Sequence, residues 1–360
     1  MKAELVFLRL DDVGAELDLA RVATLLGQPP VHAPVPRRAQ APGHALLPRP
    51  LEVQLAPDPA WQAPPGTQVE VRAHAVGCLV VRVRIPLEVA DLAELRAVAQ
   101  GMQLGGQPVQ QRMAGLSAQA RKELRPAWVE PYQVHVEPET YLVHCVIDSP
   151  PPDLKGPDRA LVAALITGEL PGSMAPENVD SAVKHQLRYY RDDLVVVGWD
   201  NALLVGRAGS HEEVLDVLEL ANLELLELRT YDAVLDAELD GAFAALDRLW
   251  APGGLWRSAR RTLRDLSALR VDFARLTDNL HDTGKLFGDW YLAKLHARLR
   301  DAFHLPHWER AVATKLASLA EMFQLAEGEA NHRRSLTLEW MIVFLFLLDL
   351  ALIFLLGGLP

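Results

Sequence analysis

VEVRAHAVGCLVVRVRIPL, residues 69–87, is the stretch that decides the fold class. In its last part Val81, Val83 and Ile85 alternate with Arg82 and Arg84, the period of a strand with one face in a core and the other in water. The arginines are therefore expected on the solvent side. Working outward, residues 4–10 (ELVFLRL) read as a strand, 16–26 as a short helix, and 88–100 as another helix. YQVHVEPETYLVHCVID predicts two strands around a Pro138-Glu139 turn, and LVVVGWDNALLVG a hairpin closed near Asp200-Asn201. A helix is expected over 177–191, with Ser173 ahead of it as part of its N-terminal cap region rather than a nucleophile, because no base lies nearby.

These elements make an α+β N-terminal domain in two pieces. Residues 1–28 supply a first strand and helix and 67–207 the rest. Between them, Pro29 to Pro65 holds eleven prolines. Proline fixes φ and removes a backbone donor, so 29–66 reads as an extended linker or insert rather than a packed element.

After Gly209 the period changes. Val214, Leu218, Ala221, Leu225, Leu228, Asp232, Leu235, Leu239, Ala242, Leu246 and Leu249 recur at alternating steps of four and three, the pattern of a heptad seam broken only by Asp232. Such a helix is about 54 Å long, and APGG at 251–254 ends it. A second helix from Trp256 to His281 is expected to return antiparallel, and a third begins near Trp308 with Val312, Leu316, Leu319, Phe323, Ala326 and Ala330 on one face. Residues 210–335 thus predict an all-α antiparallel, coiled-coil-like region.

The run from Leu336 to Leu356 is apolar except for Thr337, Glu339 and Asp349, close to the roughly 20 residues of a spanning helix. His332, Arg333 and Arg334 precede it, with Trp340 at its start, so these four are read as the membrane-entry anchor and the preceding chain as cytoplasmic. This predicts a tail-anchored, single-pass protein of the cytoplasmic (inner) membrane, in contact with lipid. A carboxylate inside the span is costly unless it is paired, which makes Asp349 the candidate for self-association within the membrane.

A formal charge of −11 over 360 residues, half of them apolar, argues against a general nucleic-acid binder, and no DNA partner is expected. Cys78 and Cys145 sit in apolar runs without CxxC spacing and read as buried thiols. His281 and Asp282 in NLHDTGK resemble the His-Asp pair of metal-dependent phosphohydrolases. The nearest upstream helical histidine is His211, about seventy residues away, and Gly284 marks a helix end, so the pair is read as a decoy. His304 and His307 in HLPH lack a third ligand. No metal or cofactor is therefore expected. Arg257, Arg260, Arg261 and Arg264 share one helix face suited to phosphate of lipid or RNA; the plainer reading pairs them with Glu224, Glu227 and Asp236.

YYRDDLVVVGWDNALLV (189–205), LELANLELLELRTYDAVLDAELD (218–240) and HRRSLTLEWMIVFLFLLDLALIFL (332–355) together resemble the required-for-meiotic-nuclear-division family, domain-of-unknown-function family 155, in a bacterial-type form. The resemblance implies a soluble domain, a helical pair and a C-terminal span, an oligomer that tethers ribosomes near a membrane, and no catalytic residues. The chain is accordingly expected to be a non-enzymatic, self-associating, tail-anchored scaffold, a homo-oligomer holding a cytoplasmic partner such as the ribosome. The alternatives are an RNA- or ribosome-binding tether using the arginine face and an HD-type phosphohydrolase.

Overall fold

A strand apolar on both faces belongs in the middle of a sheet, and β1 (Lys2–Asp12) has that character: Leu5 and Phe7 are buried on one side, Val6, Leu8 and Leu10 on the other. The computed structural model describes residues 1–26, 31–32, 50–129, 131, 134–250 and 290–356, without the side chains at 31–32, 242–250, 322–323, 325–337, 349–350 and 352–356. Further strands are β2 (Glu16–Leu17), β3 (Val31–His32), β4 (Leu51–Leu55), β5 (Gln68–His74), β6 (Cys78–Glu88), β7 (Gln103–Leu104), β8 (Gln107–Pro108), β9 (Trp128–Val129), β10 (Glu139–Ile147), β11 (Gln186–Leu187), β12 (Leu194–Val197) and β13 (Asn201–Gly206). Among the described residues, nine of them form one sheet in the order β11-β12-β13-β10-β1-β6-β5-β4-β3. Its ladders are antiparallel except for β10 with β13.

β5 and β6 pair with His74 opposite Cys78 and Gln68 opposite Arg84. Gly77 turns the corner at φ +87°, the left-handed conformation that a three-residue hairpin loop places in glycine. Its carbonyl accepts from Val13 N at 2.8 Å, and a Cβ here would run into the Gly14 carbonyl. The alternation expected over 81–85 is present. Val81, Val83 and Ile85 share the core with Leu5, Phe7 and Val69, capped by α2 (Leu92–Gln100), α3 (Val109–Leu124) and α4 (Arg159–Thr167). Val13, Leu51, Val53 and Leu79 form a smaller cluster with Val22 of α1 (Leu19–Leu26).

Several expectations are corrected. Arg82 is 3% exposed, and Arg84 is partly buried, because the second face of the sheet is covered too. Within 29–66, β4 pairs with β5, and Trp61 is buried at the end of a 3-10 turn whose Asp58 accepts from Ala60 N at 2.8 Å. That part of the presumed linker is packed, since its prolines fall outside the strand. Pro138-Glu139 is no hairpin turn between two strands: β10 begins at Glu139. Where one helix was expected over 177–191, α5 (Pro176–Ala182) ends early and β11 follows. Its N-cap is Ala175; Ser173 instead donates its hydroxyl to the Leu170 carbonyl at 2.7 Å. The hairpin at 198–200 is present.

The helical C-terminal part comprises α6 (Glu212–Trp250), α7 (Trp290–Ala302) and α8 (Leu305–Leu356). The chain divides into two compact units, Met1–Val234 with Ala274–Arg310 and Leu235–Phe273 with Ala311–Pro360. The first α6 turns thus belong with the sheet, and residues 210–335 are not one separate region. From Val214 to Val234 α6 is buried nearly all round, polar residues included, so it is a core helix there rather than one side of a coiled-coil seam. In the second unit Val312, Leu316 and Leu319 are buried on one face of α8, and Lys315 pairs with Asp236 at 2.6 Å.

Residues 336–356 lie in α8. Among the described residues no helix is long and apolar enough to cross a membrane, so the fold does not establish the spanning helix expected there.

Candidate functional site

Strand alternation puts Arg72 of β5 and Arg82 of β6 on the face opposite the Val81–Ile85 core. On α6 a spacing of three residues points Asp216 and Glu219 at the same strands. Glu219 accepts from Arg72 Nη1 at 2.8 Å and from Arg82 Nη2 at 2.6 Å, and lies 2.9 Å from His74 Nε2. Asp216 accepts from both arginines, at 2.9 and 3.1 Å. Burial alone would raise the Glu219 pKa, but the charges of Arg72 and Arg82, with His74, hold it well below the ordinary carboxylate range. Removing one partner of so buried a pair costs about 3–5 kcal/mol, because the other charge is left uncompensated.

This layer floors a cleft of about 730 Å³ in the first unit, a volume within the range of small-molecule sites. Also in its lining, Arg84 makes a two-pronged contact with Glu4, at 2.9 and 3.2 Å, and reaches Glu212 at 2.6 Å, and Arg207 pairs with Asp192 at 2.7 Å. Tyr189 meets Tyr190 and Tyr291 edge to face, with ring centroids 4.6 and 5.1 Å apart. His211, at the start of α6, lines the cleft and is buried. Burial lowers its pKa, which keeps the imidazole uncharged at neutral pH.

Further along α6, Glu224 is fully buried against His296 Nε2 of α7 at 2.7 Å and Arg300 at 3.2 Å, and Arg300 goes on to Glu309 at 2.6 Å. Glu227 is buried with its Oε1 unpartnered among the described residues, as are Asp12 Oδ2 and Thr230 Oγ1. Burial, then the Asp12 charge, raises the Glu227 pKa well above the usual range; burial raises that of Asp12 to about 6.

The expected site residues fall elsewhere. Arg257, Arg260, Arg261, Arg264, His281 and Asp282 lie outside the described residues, as do the side chains of His332, Arg333, Arg334 and Asp349. Of the acids expected to face those arginines, Glu224 contacts His296 and Arg300, and Asp236 contacts Lys315. His304, at φ +53°, packs near Trp199 at 6.1 Å. Among the described residues no three His, Cys, Asp or Glu side chains converge as metal ligands. Cys78 and Cys145 are free and buried, and burial raises both thiol pKa values.

Trp340 is 71% exposed, and Leu338 and every residue from Met341 to Leu348 are exposed as well. The buried charge layer and the tyrosine rim were missed at the level of sequence. The available signal was Glu212, Asp216 and Glu219 recurring at helical spacing inside an apolar stretch, matched by polar residues at alternate positions of β5 and β6.

The profile of a family described as "Uncharacterized protein MJ0711, N-terminal domain" matches residues 2–212. The uncharacterized protein MJ0711 of Methanocaldococcus jannaschii is 25% identical over 215 residues, covering 59% of this chain. The chain spans about 65% of that relative's length. No solved structure matches. This supports a domain family of unknown function and not the required-for-meiotic-nuclear-division family. Of the three stretches that carried that resemblance, 218–240 and 332–355 lie beyond the matched residues. The match covers the strands and His211 of the cleft, but not Asp216, Glu219 or Tyr291.

Proposed function

Since the chain belongs to the family named for the N-terminal domain of MJ0711, we propose that it is a membrane-anchored, non-enzymatic scaffold in which that domain is presented from the bilayer surface. The observation that carries this is the exposure of Leu338, Trp340 and all of Met341–Leu348 on α8. Ten large apolar side chains pointing in every direction round a helix are not a docking stripe, which would occupy one face only. Lipid covers a helix from all sides. The apolar sequence continues to Leu356, giving the length a bilayer needs.

His332, Arg333 and Arg334 on the N-terminal flank keep that side cytoplasmic, at the cytoplasmic membrane of a bacterial-type cell, with Trp340 at the headgroup level. Self-association through Asp349, and tethering of a cytoplasmic complex such as the ribosome, belong to the same proposal. The test is carbonate extraction of membranes from cells expressing the full chain. The chain is expected to stay in the stripped pellet, and Phe344→Arg with Leu347→Arg to move it to the supernatant, since each arginine at mid-helix opposes insertion by roughly 2.5–3.5 kcal/mol. Recovery of the unaltered chain in the supernatant sinks the reading.

A further inference from the structure

We propose that Asp12 and Glu227 form a protonated latch over Cys78: while the pair holds a proton, α6 stays closed on the corner where β1 meets β6, and when both acids ionise that corner opens and exposes the thiol. The topology brings the three groups together. Asp12 and Cys78 face each other in the last register pair of β1 with β6, so their side chains share one face of the sheet. Glu227 comes to them from α6. Its charge is the strongest of those acting on the Cys78 thiol, followed by that of Asp12. Cys78 and Glu227 are 0% and 2% exposed, and Asp12 Oδ2, Glu227 Oε1 and Thr230 Oγ1 are buried without a hydrogen-bond partner among the described residues. Two carboxylates in such a place repel each other, whereas one proton makes either acid a donor to the other.

The charges around the pair do not replace that proton. Arg121 of α3 acts on Asp12 but lies 3.7 Å from Asp11, which also accepts from Arg9 and from Ser117. His74 of β5 contacts Glu219, and Glu227 has no ion pair among the described residues. Burial raises both acids, so the closed form is favoured on the acid side and is lost as pH rises. The opening is local because the rest of α6 is held: Glu219 by Arg72 and Arg82, and Glu224 by Arg300 and His296. Arginines keep their charge through the alkaline range. The corner is the side that yields, since Ala75 and Val76 in the β5–β6 turn are already half-exposed.

The test is iodoacetamide labelling of the full chain in mild detergent between about pH 7 and about pH 9, with the two cysteines separated by peptide mass mapping. Rates are divided by that of free cysteine in the same buffers, which removes the titration of the thiol itself. The corrected Cys78 rate is expected to rise towards about tenfold per pH unit, the slope of one proton lost on opening. Cys145, buried in the same sheet away from the pair, should stay protected. Glu227→Gln should flatten the Cys78 slope, because one neutral partner ends the repulsion. Asp12→Asn, which still accepts from Gly14 N, should do the same and serves where the first variant does not fold. A corrected Cys78 rate that does not change with pH overturns the proposal. So does Cys145 labelled in step with Cys78, which is global unfolding, and so does a parental slope in a folded variant. Retention in the carbonate pellet is independent of every arm, so the latch and the membrane reading fail separately.

Discussion

Glu227 shows what burial does to a single group. It is a carboxyl on a core helix, 2% exposed, facing another acid whose pKa is raised to about 6. In the unfolded chain both acids ionise near their ordinary values; in the fold both keep a proton to higher pH. The folded state therefore binds more protons above about pH 4, so the stabilisation is full on the acid side and is lost as pH rises through about 6 and beyond. Glu227→Gln removes one of the two titrations and its repulsion of Asp12. Between pH 5 and pH 8 the parent is expected to lose about 1–3 kcal/mol more stability than the variant, read from urea unfolding at several pH values. Parallel stability curves would show that the acids do not share a buried site. Nothing in the local sequence marks Glu227 as unusual: it sits among Glu219, Glu224 and other acids of α6, and the same letter serves an ion-paired, a histidine-bound and an unpaired carboxyl.

For the elements, legibility followed the strength of the period. The β6 alternation could be read because apolar residues recur every second position, and the β12–β13 hairpin because two short continuous apolar runs flank a turn. The heptad spacing of α6 located a real helix but misread its surroundings. Spacing reports which residues align, and α6 from Val214 to Val234 is enclosed on more sides than one seam. α3 and α4 went unread. α3 mixes glutamines and arginines among its apolar residues, and α4 is an apolar nine-residue helix that periodicity alone does not separate from a strand. Two glycines in these elements have opposite roles. Gly77→Ala forces a left-handed φ and a clash with the Gly14 carbonyl, and is expected to destabilise by more than about 1 kcal/mol. Gly115→Ala on the exposed side of α3 meets open space and should stabilise by roughly 0.5–1 kcal/mol. Thermal unfolding of the two variants beside the parent checks both signs, and a shift in the same direction for both would refute the assigned turn.

On the scale of the whole molecule, the apolar length at the end of α8 carries the membrane-anchoring proposal. That proposal joins Asp349 to self-association, since a carboxyl inside an apolar span is costly unless it is paired, and a second copy of the same helix would pair it. Crosslinking of the full chain in membranes is expected to give a discrete oligomer, weakened in Asp349→Leu; an unchanged ladder in the variant would remove Asp349 from the interface. By itself the sequence determined the element types of the strongly periodic stretches, the division into an α+β part and a mainly helical part, and the apolar run before Leu356. Those properties are written in the local order of apolar and polar residues, which hydrophobic burial reads at a period of 2 or 3.6. Only the tertiary structure decided that Arg72 and Arg82 are not solvent-facing, that Glu219 and Asp216 neutralise them from up to 147 residues away, and that three tyrosines and His211 border one cleft. The reason is that an ion pair is stable in a core only when both charges are brought there together, and that meeting depends on strand register and helix placement, which no local pattern encodes.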